Sequence, residues 1–581
     1  MPYKSRWTVP IPDCSLPTFL FTSATHAETP EVANKPCYLD ASNPDTHYFT
    51  RAGYKLWAQR FALGLSRLPD FQPGDRVLVF SGNNLGFPVA FMGICMAGGI
   101  FTAANPTFVA RELAYQLKDS GAKFLFAAEG SLETAVQAAK EAGLGKERVR
   151  WFDADVLFEK DGANKGRKHD VEYWSSVFAG PEEAKGFQWN ELKGPNEAKD
   201  TVLALNYSSG TTGVPKGVMI THRNYISNCI QHQHLATLNP DAKARTARAK
   251  WLCFLPLYHA MAQTIYLSGG VMRQIPVYIM AKFDFIQLLE NIQRFRITDF
   301  AMVPPIAVMV AKHPVVKKYD LSSVESIGSG AAPLGSEASR EVEKIWGGRL
   351  NLKQGWGMTE VTCSLLGWDP TKYSASFGVG EPNANCEAKI MAVSEDVNGN
   401  QSFTEITERG PEHRGELWCR GPNIMKGYWN NEKATKGTFS PDGQWLRSGD
   451  IAYVDEDGCF FIVDRMKELI KVKGNQVAPA ELEALIIDHP AIQDVAVIGV
   501  PTPDGDEKPK AFCVKQPGAN VTEQEVCDFV KDKVVRYKRL VGGCEFVDAI
   551  PKNPSGKILR RQLRDMAANK AKANGQVQAK L

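Results

Sequence analysis

Eleven consecutive residues, Tyr207-Ser-Ser-Gly-Thr-Thr-Gly-Val-Pro-Lys-Gly217, gather hydroxyls, glycines and one lysine directly after an apolar, strand-like run. Chemically this is a cradle for phosphate. Gly210 and Gly213 let backbone N–H groups approach an anion, Ser208, Ser209, Thr211 and Thr212 offer hydroxyl donors, and Lys216 adds a point charge. The stretch is not a Walker A loop. Pro215 precedes the lysine where glycine is required, and Gly217 stands where Ser or Thr would meet magnesium. Nor is it a serine-hydrolase elbow, because Asn206 replaces the first glycine of G-x-S-x-G.

Six further segments carry chemistry: Leu255-Pro-Leu-Tyr-His259, Gly328-Ser-Gly-Ala-Ala-Pro333, Gln354-Gly-Trp-Gly-Met-Thr-Glu360, Ser448-Gly-Asp450, Asp464-Arg-Met-Lys467 and Pro554-Ser-Gly-Lys557. The two Gly-x-Gly starts are not dinucleotide fingerprints, since Pro333 and Glu360 occupy the third glycine positions. Thr359 beside Glu360 suits a hydroxyl on phosphate next to a carboxylate on magnesium, which takes hard oxygen ligands. Asp450 is an acceptor suited to a ribose diol, and Arg465 a donor fork for ribose or phosphate oxygens. His232 and His234 have no third ligand at suitable spacing and read as a solvated helical turn, while His222 reads as structural.

The seven segments, in this order and over nearly the whole chain, resemble the adenylate-forming superfamily. It includes acyl-CoA synthetases, 4-coumarate:CoA ligases, firefly-type luciferases and the adenylation domains of peptide synthetases. The resemblance implies an ATP-dependent acid:CoA ligase that makes an acyl-adenylate and pyrophosphate, then acyl-CoA and AMP. By the same resemblance ATP and AMP contact Ser208, Ser209, Gly210, Thr211, Thr212, Gly213, Lys216, Gln354, Gly355, Trp356, Thr359, Asp450 and Arg465. Glu360 holds Mg2+, and His259, Met261, Gly330, Ala331 and Ala332 border the acyl pocket. Lys557 bridges carboxylate and α-phosphate during adenylation. A rotation near Lys467 then withdraws it and presents the face from Lys471 to Gly474, with Lys282, Lys473 and Gly474 contacting CoA.

Two departures bear on the substrate. Ala260 and Met261 follow His259 where plant 4-coumarate:CoA ligases carry a tyrosine bordering the phenolic ring, and Trp356 replaces the commoner tyrosine of its motif. Small and flexible apolar residues admit a larger or more aliphatic acid, so a hydrophobic aryl or medium-to-long aliphatic monocarboxylic acid is expected. A luciferase-like oxidoreductase and a stand-alone enzyme loading a carrier-protein thiol remain as alternatives.

The elements that must position these residues follow from pattern and composition. The 581 residues carry 68 Lys plus Arg against 65 Asp plus Glu, a net +3 that argues against a chain built to grip nucleic acid. The cations expected for ATP and CoA are therefore local. Twelve cysteines without metal-type spacing read as reduced, buried thiols. Lys4 and Arg6 have no apolar run behind them, so no secretory signal is expected. The uncharged stretch from 77 to 110 is broken by glycines and asparagines into pieces too short for a membrane span. It reads instead as strand, buried helix and strand.

Apolar runs at Lys123–Ala127, Thr201–Asn206, Ala249–Leu255, Ile275–Met280 and Asp299–Val303 alternate with helical patterns at Arg111–Ser120, Leu132–Ala142, Phe283–Arg294 and Pro305–Lys312. This alternation predicts an α/β fold with parallel-type sheets covered by helices. The Lys-, Glu- and Gly-rich segment Lys160–Lys199 reads as a surface excursion. After Phe403 shorter strands and turns take over, and Thr522 with Glu525 predicts a capping box in a small α+β module. The expected organisation is a large multi-subdomain body over 1–463, a hinge at 464–467, a small mobile C-terminal domain over 468–565 and an irregular tail over 566–581. The tail ends Ala579-Lys580-Leu581, a variant of the S-K-L address that a peroxisomal import receptor reads, with a cytosolic location as the alternative.

Overall fold

The computed structural model describes residues 2–22, 29–158, 165–208, 215–374, 378–395, 401–472, 475–502, 506–553 and 556–578. Apolar runs without alternation become the inner strands of two mostly parallel sheets. In the nine-stranded sheet, Val202–Ser208, Ile100–Ala104, Arg76–Phe80, Phe124–Ala128, Val149–Phe152 and Val171–Tyr173 run parallel in that order. Antiparallel strands close both edges. The uncharged helix Gly86–Met96 is buried along its whole length, as its composition requires, and packs against the helix Arg51–Ser66. Among the described residues no helix is long and apolar enough to cross a membrane.

The seven-stranded sheet orders Lys353–Gln354, Ser326–Ser329, Asp299–Met302, Trp251–Cys253, Val277–Ile279 and Pro36–Asp40 in parallel, with Tyr48–Thr50 antiparallel at the edge. A third sheet is wholly antiparallel and joins Tyr3–Lys4 to Glu387–Glu395, Gly415–Arg420, Leu446–Val454 and Phe460–Arg465. The body therefore combines two parallel-type sheets with one antiparallel sheet, whose strands after Phe403 are not shorter than those of the parallel sheets and which also draws in Tyr3–Lys4 and Glu387–Glu395.

Two sequence readings need correction. The segment from 160 to 199 is not only a surface excursion. Val171–Tyr173 extends the nine-stranded sheet, and Trp174 is fully buried against Phe61 and Phe152. Val171, Tyr173, Trp174 and Val177 are among the buried apolar residues that anchor this polar segment, and average composition conceals them. The tail is not irregular up to Gln578. Arg560–Gln578 is one helix, consistent with the strong helix propensity of its Ala, Lys, Gln and Arg residues.

The small domain is a three-stranded sheet of Ile492–Pro501, Glu507–Lys515 and Cys544–Phe546, covered on both faces. Alternation separates its cores. Val495 and Val497 pack with Leu482 and Val526, whereas Ala496 and Ile498 pack with Ile550 and Leu563. The helix Glu523–Lys531 begins with the predicted capping box of Thr522 and Glu525. All twelve cysteines are free.

Candidate active site

The phosphate-loop segment joins the strands Val202–Ser208 and Lys216–Thr221, whose last register pairs are Tyr207 with Gly217 and Ser208 with Lys216. Ser209, Gly210, Thr211, Thr212 and Gly213 lie outside the described residues. Both ends of the loop are pinned to the helix Ala110–Ser120. The Tyr207 hydroxyl donates to Asp119 Oδ2 at 2.6 Å, and the Tyr115 hydroxyl donates to the Pro215 carbonyl at 2.9 Å. Burial and the Asp119 carboxylate hold the Tyr207 phenol well above its usual range, so it remains a donor. Tyr115 and Asp119 escaped the sequence reading because they lie some ninety residues upstream and carry no motif.

A tyrosine links the loop lysine to the metal-type carboxylate. Tyr428 pairs with Val218 at the sheet edge and places its ring 4.3 Å from the Lys216 ammonium. Its hydroxyl donates to Glu360 Oε1 at 2.8 Å. Glu360 itself is buried in the short turn Thr359–Val361, with its carbonyl accepting from Met425 N–H at 2.9 Å. Gly357 makes this turn possible, since a Cβ there would stand 1.7 Å from the Cys363 carbonyl oxygen. The second Glu360 carboxylate oxygen accepts no hydrogen bond among the described residues, and no cluster of three or more His, Cys, Asp or Glu stands ready to hold a metal there. This donor set fits Mg2+, which binds one or two carboxylates together with substrate phosphates rather than a protein cage.

Asp450 and Arg465 are brought together by strand register, being paired across Leu446–Val454 and Phe460–Arg465. Asp450 Oδ1 is 3.4 Å from Arg465 Nε, and its Oδ2 accepts from the Trp356 indole N–H at 2.8 Å. Burial raises the Asp450 carboxyl, while Arg465 and Trp356 oppose that shift. Trp356 thus has a definite use for its N–H at the position where the sequence departs from the commoner tyrosine. Gln354 is placed differently from its neighbours. Its amide accepts from Leu334 N–H at 3.0 Å and donates to the Leu334 carbonyl at 2.9 Å, so it braces the loop after Ser326–Ser329. Gly355 N–H donates to the Ser329 carbonyl at 3.0 Å, joining the same two segments. Thr359 is half-buried at the start of the Glu360 turn.

Lys557 reaches this cluster from the small domain. Its turn is fixed by Asn553, whose Oδ1 accepts from Lys557 N–H at 2.8 Å and whose N–H donates to the Lys557 carbonyl at 2.9 Å. Gly556 has φ +81°, and a Cβ there would meet Pro305 Cδ of the body at 2.9 Å. Only glycine satisfies both demands. Burial first, then the Arg465 charge, lowers the Lys557 ammonium to about 8, against the pull of Asp450, Glu468 and Glu360.

His259 precedes a helical run from Ala260 to Arg273 whose middle, Gln263–Gly269, is π-helical, a distortion frequent at functional sites. Burial, reinforced by the Lys557 charge, lowers His259 to about 4, so its imidazole is neutral at physiological pH. Met261 closes over Gly330, whose Cβ position would lie 3.8 Å from Met261 Cε. Ala331 adopts φ +71° and Ala332 follows it in the same loop.

The remaining candidates lie apart from this cluster. Lys282 is exposed beyond the strand Val277–Ile279, and Lys467 is exposed after Phe460–Arg465. Lys471 is exposed on a hairpin whose N–H is held by Glu507 Oε2 at 2.8 Å. Lys473, Gly474 and the terminal Ala579, Lys580 and Leu581 lie outside the described residues. His222 is structural, its Nδ1 accepting from Leu16 N–H at 2.9 Å. His232, read as part of a solvated turn, is only partly exposed and lines a pocket with its Nε2 2.9 Å from Ser364 Oγ.

A layered α/β body, a small domain folded over its cleft, and a lysine delivered among phosphate-, ribose- and metal-type groups define an adenylate-forming enzyme. The chain matches the AMP-binding enzyme family over residues 25–429 and the AMP-binding enzyme C-terminal domain over residues 481–557. It is 37% identical over 559 residues to the 4-coumarate–CoA ligase of Vanilla planifolia, covering 95% of both chains. It is also 37% identical to 4-coumarate–CoA ligase 1 of Petroselinum crispum, covering 93% of this chain and 92% of that one. ATP-bound MatB from Rhodopseudomonas palustris shares the fold with a TM-score of 0.75 at 24% identity, over 95% of this chain and 98% of that one. The chain belongs to the AMP-binding enzyme family, among its 4-coumarate:CoA ligase-like acid–thiol ligases.

Proposed function

We propose that the enzyme activates a hydrophobic carboxylic acid, aryl or medium-to-long aliphatic, with ATP and transfers the acyl group to CoA. The observation that carries this reading is the placement of Lys557 in the field of Asp450 and Glu360, next to the neutral His259. A carboxylate is a poor acyl donor, because its leaving group would be oxide. In the first step its oxygen attacks the α-phosphorus, the new O–P bond forms and the bond to pyrophosphate breaks. Lys557 neutralises charge on the carboxylate and α-phosphate as they meet, Lys216 holds the outgoing phosphates, and Asp450 with Arg465 fixes the ribose. Mg2+, when bound through Glu360, neutralises polyphosphate charge. In the second step the CoA thiol attacks the acyl carbon, the C–S bond forms, the acyl C–O bond to AMP breaks so that AMP leaves with that oxygen, and the thiol proton passes to solvent. Lys557 would obstruct the thiol, so rotation about the hinge at Lys467 withdraws it and turns the Lys471 to Gly474 face inward, with Lys282 and Lys473 meeting the CoA phosphates.

A panel of carboxylic acids assayed for pyrophosphate release with and without CoA tests this reading. Release with hydrophobic acids and acyl-CoA formation only with CoA are the expected results. Light emission with oxygen, or acyl transfer only to a carrier protein, would replace it. Lys467→Pro is expected to keep adenylation and lose thioester formation, and equal loss of both overturns the hinge assignment. The terminal Ala579-Lys580-Leu581 supports a peroxisomal location, so deleting those three residues should move the tagged protein from peroxisomes to the cytosol.

A further inference from the structure

The backbone is strained two residues beyond Glu360. Thr362 has φ +69° and ψ −57°, and the Cys363 N–H closes back on the Val361 carbonyl at 2.9 Å. This is a γ-turn of the rare, strained kind, and a branched Cβ makes it harder still to hold. Of the nine non-glycine residues with positive φ among the described residues, Thr362 alone is β-branched. Strain of this kind persists only where the surroundings over-determine it.

Asn423 supplies that determination. The Thr362 hydroxyl donates to the Asn423 carbonyl at 2.7 Å, and the Asn423 side-chain amide donates to the Val361 and Ser364 carbonyls, each at 3.0 Å. Three bonds from one residue thus grip both sides of Thr362. Both residues are buried, and Asn423 is itself held, its Oδ1 accepting from Cys386 Sγ at 3.2 Å and Gln231 Nε2 at 3.4 Å. The far side of the turn cannot yield. Asn228 donates to the Ser364 carbonyl at 2.7 Å and accepts from its N–H at 3.1 Å, and the Cys363 carbonyl already lies against Gly357. Relaxation at Thr362 would therefore be taken up on the Glu360 side. From Asn423 the chain runs on to Met425, whose N–H meets the Glu360 carbonyl, and to Tyr428, whose hydroxyl meets Glu360 Oε1. One short segment thus fixes the turn behind Glu360, its backbone and one of its carboxylate oxygens.

We propose that Asn423 and Thr362 are positioning residues for adenylation: they hold a strained turn that sets the Glu360 carboxylate for a divalent cation bound together with the ATP phosphates. This rests on the ligase reading above and on Glu360 as its metal ligand. Two substitutions at Thr362 separate strain from ordinary packing, because both remove the hydroxyl bond. Thr362→Val keeps the branch and with it the strain, whereas Thr362→Gly deletes more of the side chain but suits the positive φ. Binding of Mn2+ to the enzyme with ATP and no acid is titrated by electron paramagnetic resonance, and the Mg2+ concentration for half-maximal pyrophosphate release is measured alongside. Both values should rise about tenfold in Thr362→Val, the scale of disturbing a residue behind a metal ligand, and less than about twofold in Thr362→Gly. Asn423→Ala should also raise them about tenfold alone, but by much less in combination with Thr362→Gly, since the two changes act on one turn. A packing role predicts the reverse order, with Thr362→Gly the more damaging. That order, or a lowered Tm with unchanged metal dependence in Thr362→Val and Asn423→Ala, overturns the inference and leaves the ligase reading intact. Unchanged Mn2+ binding in Glu360→Gln removes the metal role of Glu360 and the inference with it.

Discussion

The two halves of the active site are held by different means. On the body side the polar groups are tied to one another: Tyr428 to Glu360, Trp356 and Arg465 to Asp450, and Tyr207 to Asp119. On the small-domain side, Lys557 is positioned through its backbone turn, and its ammonium forms no hydrogen bond or ion pair among the described residues. The body's polar groups are thus preorganised, whereas the place of Lys557 depends on the turn at Gly556 resting on Pro305. The largest expected effect follows directly. Lys557→Ala should lower acid-dependent pyrophosphate release by about 10²–10³-fold, the scale of removing one positioned transition-state donor. Nucleotide affinity, Tm and thioester formation from supplied acyl-adenylate should hardly change. A loss of less than tenfold in adenylation would erase the distinction between the halves.

The body side breaks by smaller amounts and in a different parameter. Asp450→Asn removes a buried charge that Trp356 and Arg465 share, and should weaken ATP binding by roughly ten- to hundredfold, read by calorimetric titration without acid. Tyr428→Phe keeps the ring under Lys216 and deletes only the hydroxyl on Glu360. A single hydrogen bond to a charged group is worth about 1.5–3 kcal/mol, but the Glu360 carboxylate, whose second oxygen accepts no hydrogen bond among the described residues, can turn to water or metal. The expected cost is therefore about five- to tenfold in kcat/KM for ATP, with a raised Mg2+ requirement. A change in acid KM at unchanged Mg2+ dependence would show that Tyr428 serves the acyl side instead.

Legibility in the sequence followed the same division. Lys216, Glu360, Asp450, Arg465 and Lys557 each stand in a local pattern that singles them out as candidates, and the fold gathers them into one cluster. Tyr428, Tyr115 and Asp119 do not, because their roles arise from register and packing: Tyr428 matters because Gly427–Tyr428 pairs with Lys216–Thr221. Gln354 shows the converse, a residue whose motif suggested ligand contact and whose amide is committed to Leu334. His232 found its partner Ser364, 132 residues on in the chain, only through the fold. The alternation of apolar runs and helices revealed the parallel sheets, but not the wholly antiparallel third sheet or the anchoring of Trp174, which depend on partners distant in the chain.

The smallest effect sharpens the comparison by charge rather than by deletion. Lys557, lowered to about 8 by burial and by Arg465, is cationic below that pH and neutral above it. The adenylation role proposed for it needs the cation, so kcat/KM for ATP, which reports the free enzyme, should fall as pH rises through about 8. Between pH 7 and pH 8.5 the protonated fraction drops roughly fourfold for a group of that pKa, and the rate should follow it. His259, already neutral above about 4, adds no inflection in this window. Lys557→Arg retains the charge at every accessible pH and should flatten the alkaline limb even if its longer, planar group lowers the rate throughout. Persistence of the limb in that variant would move the titration to a body residue and place both halves of the site under the same control.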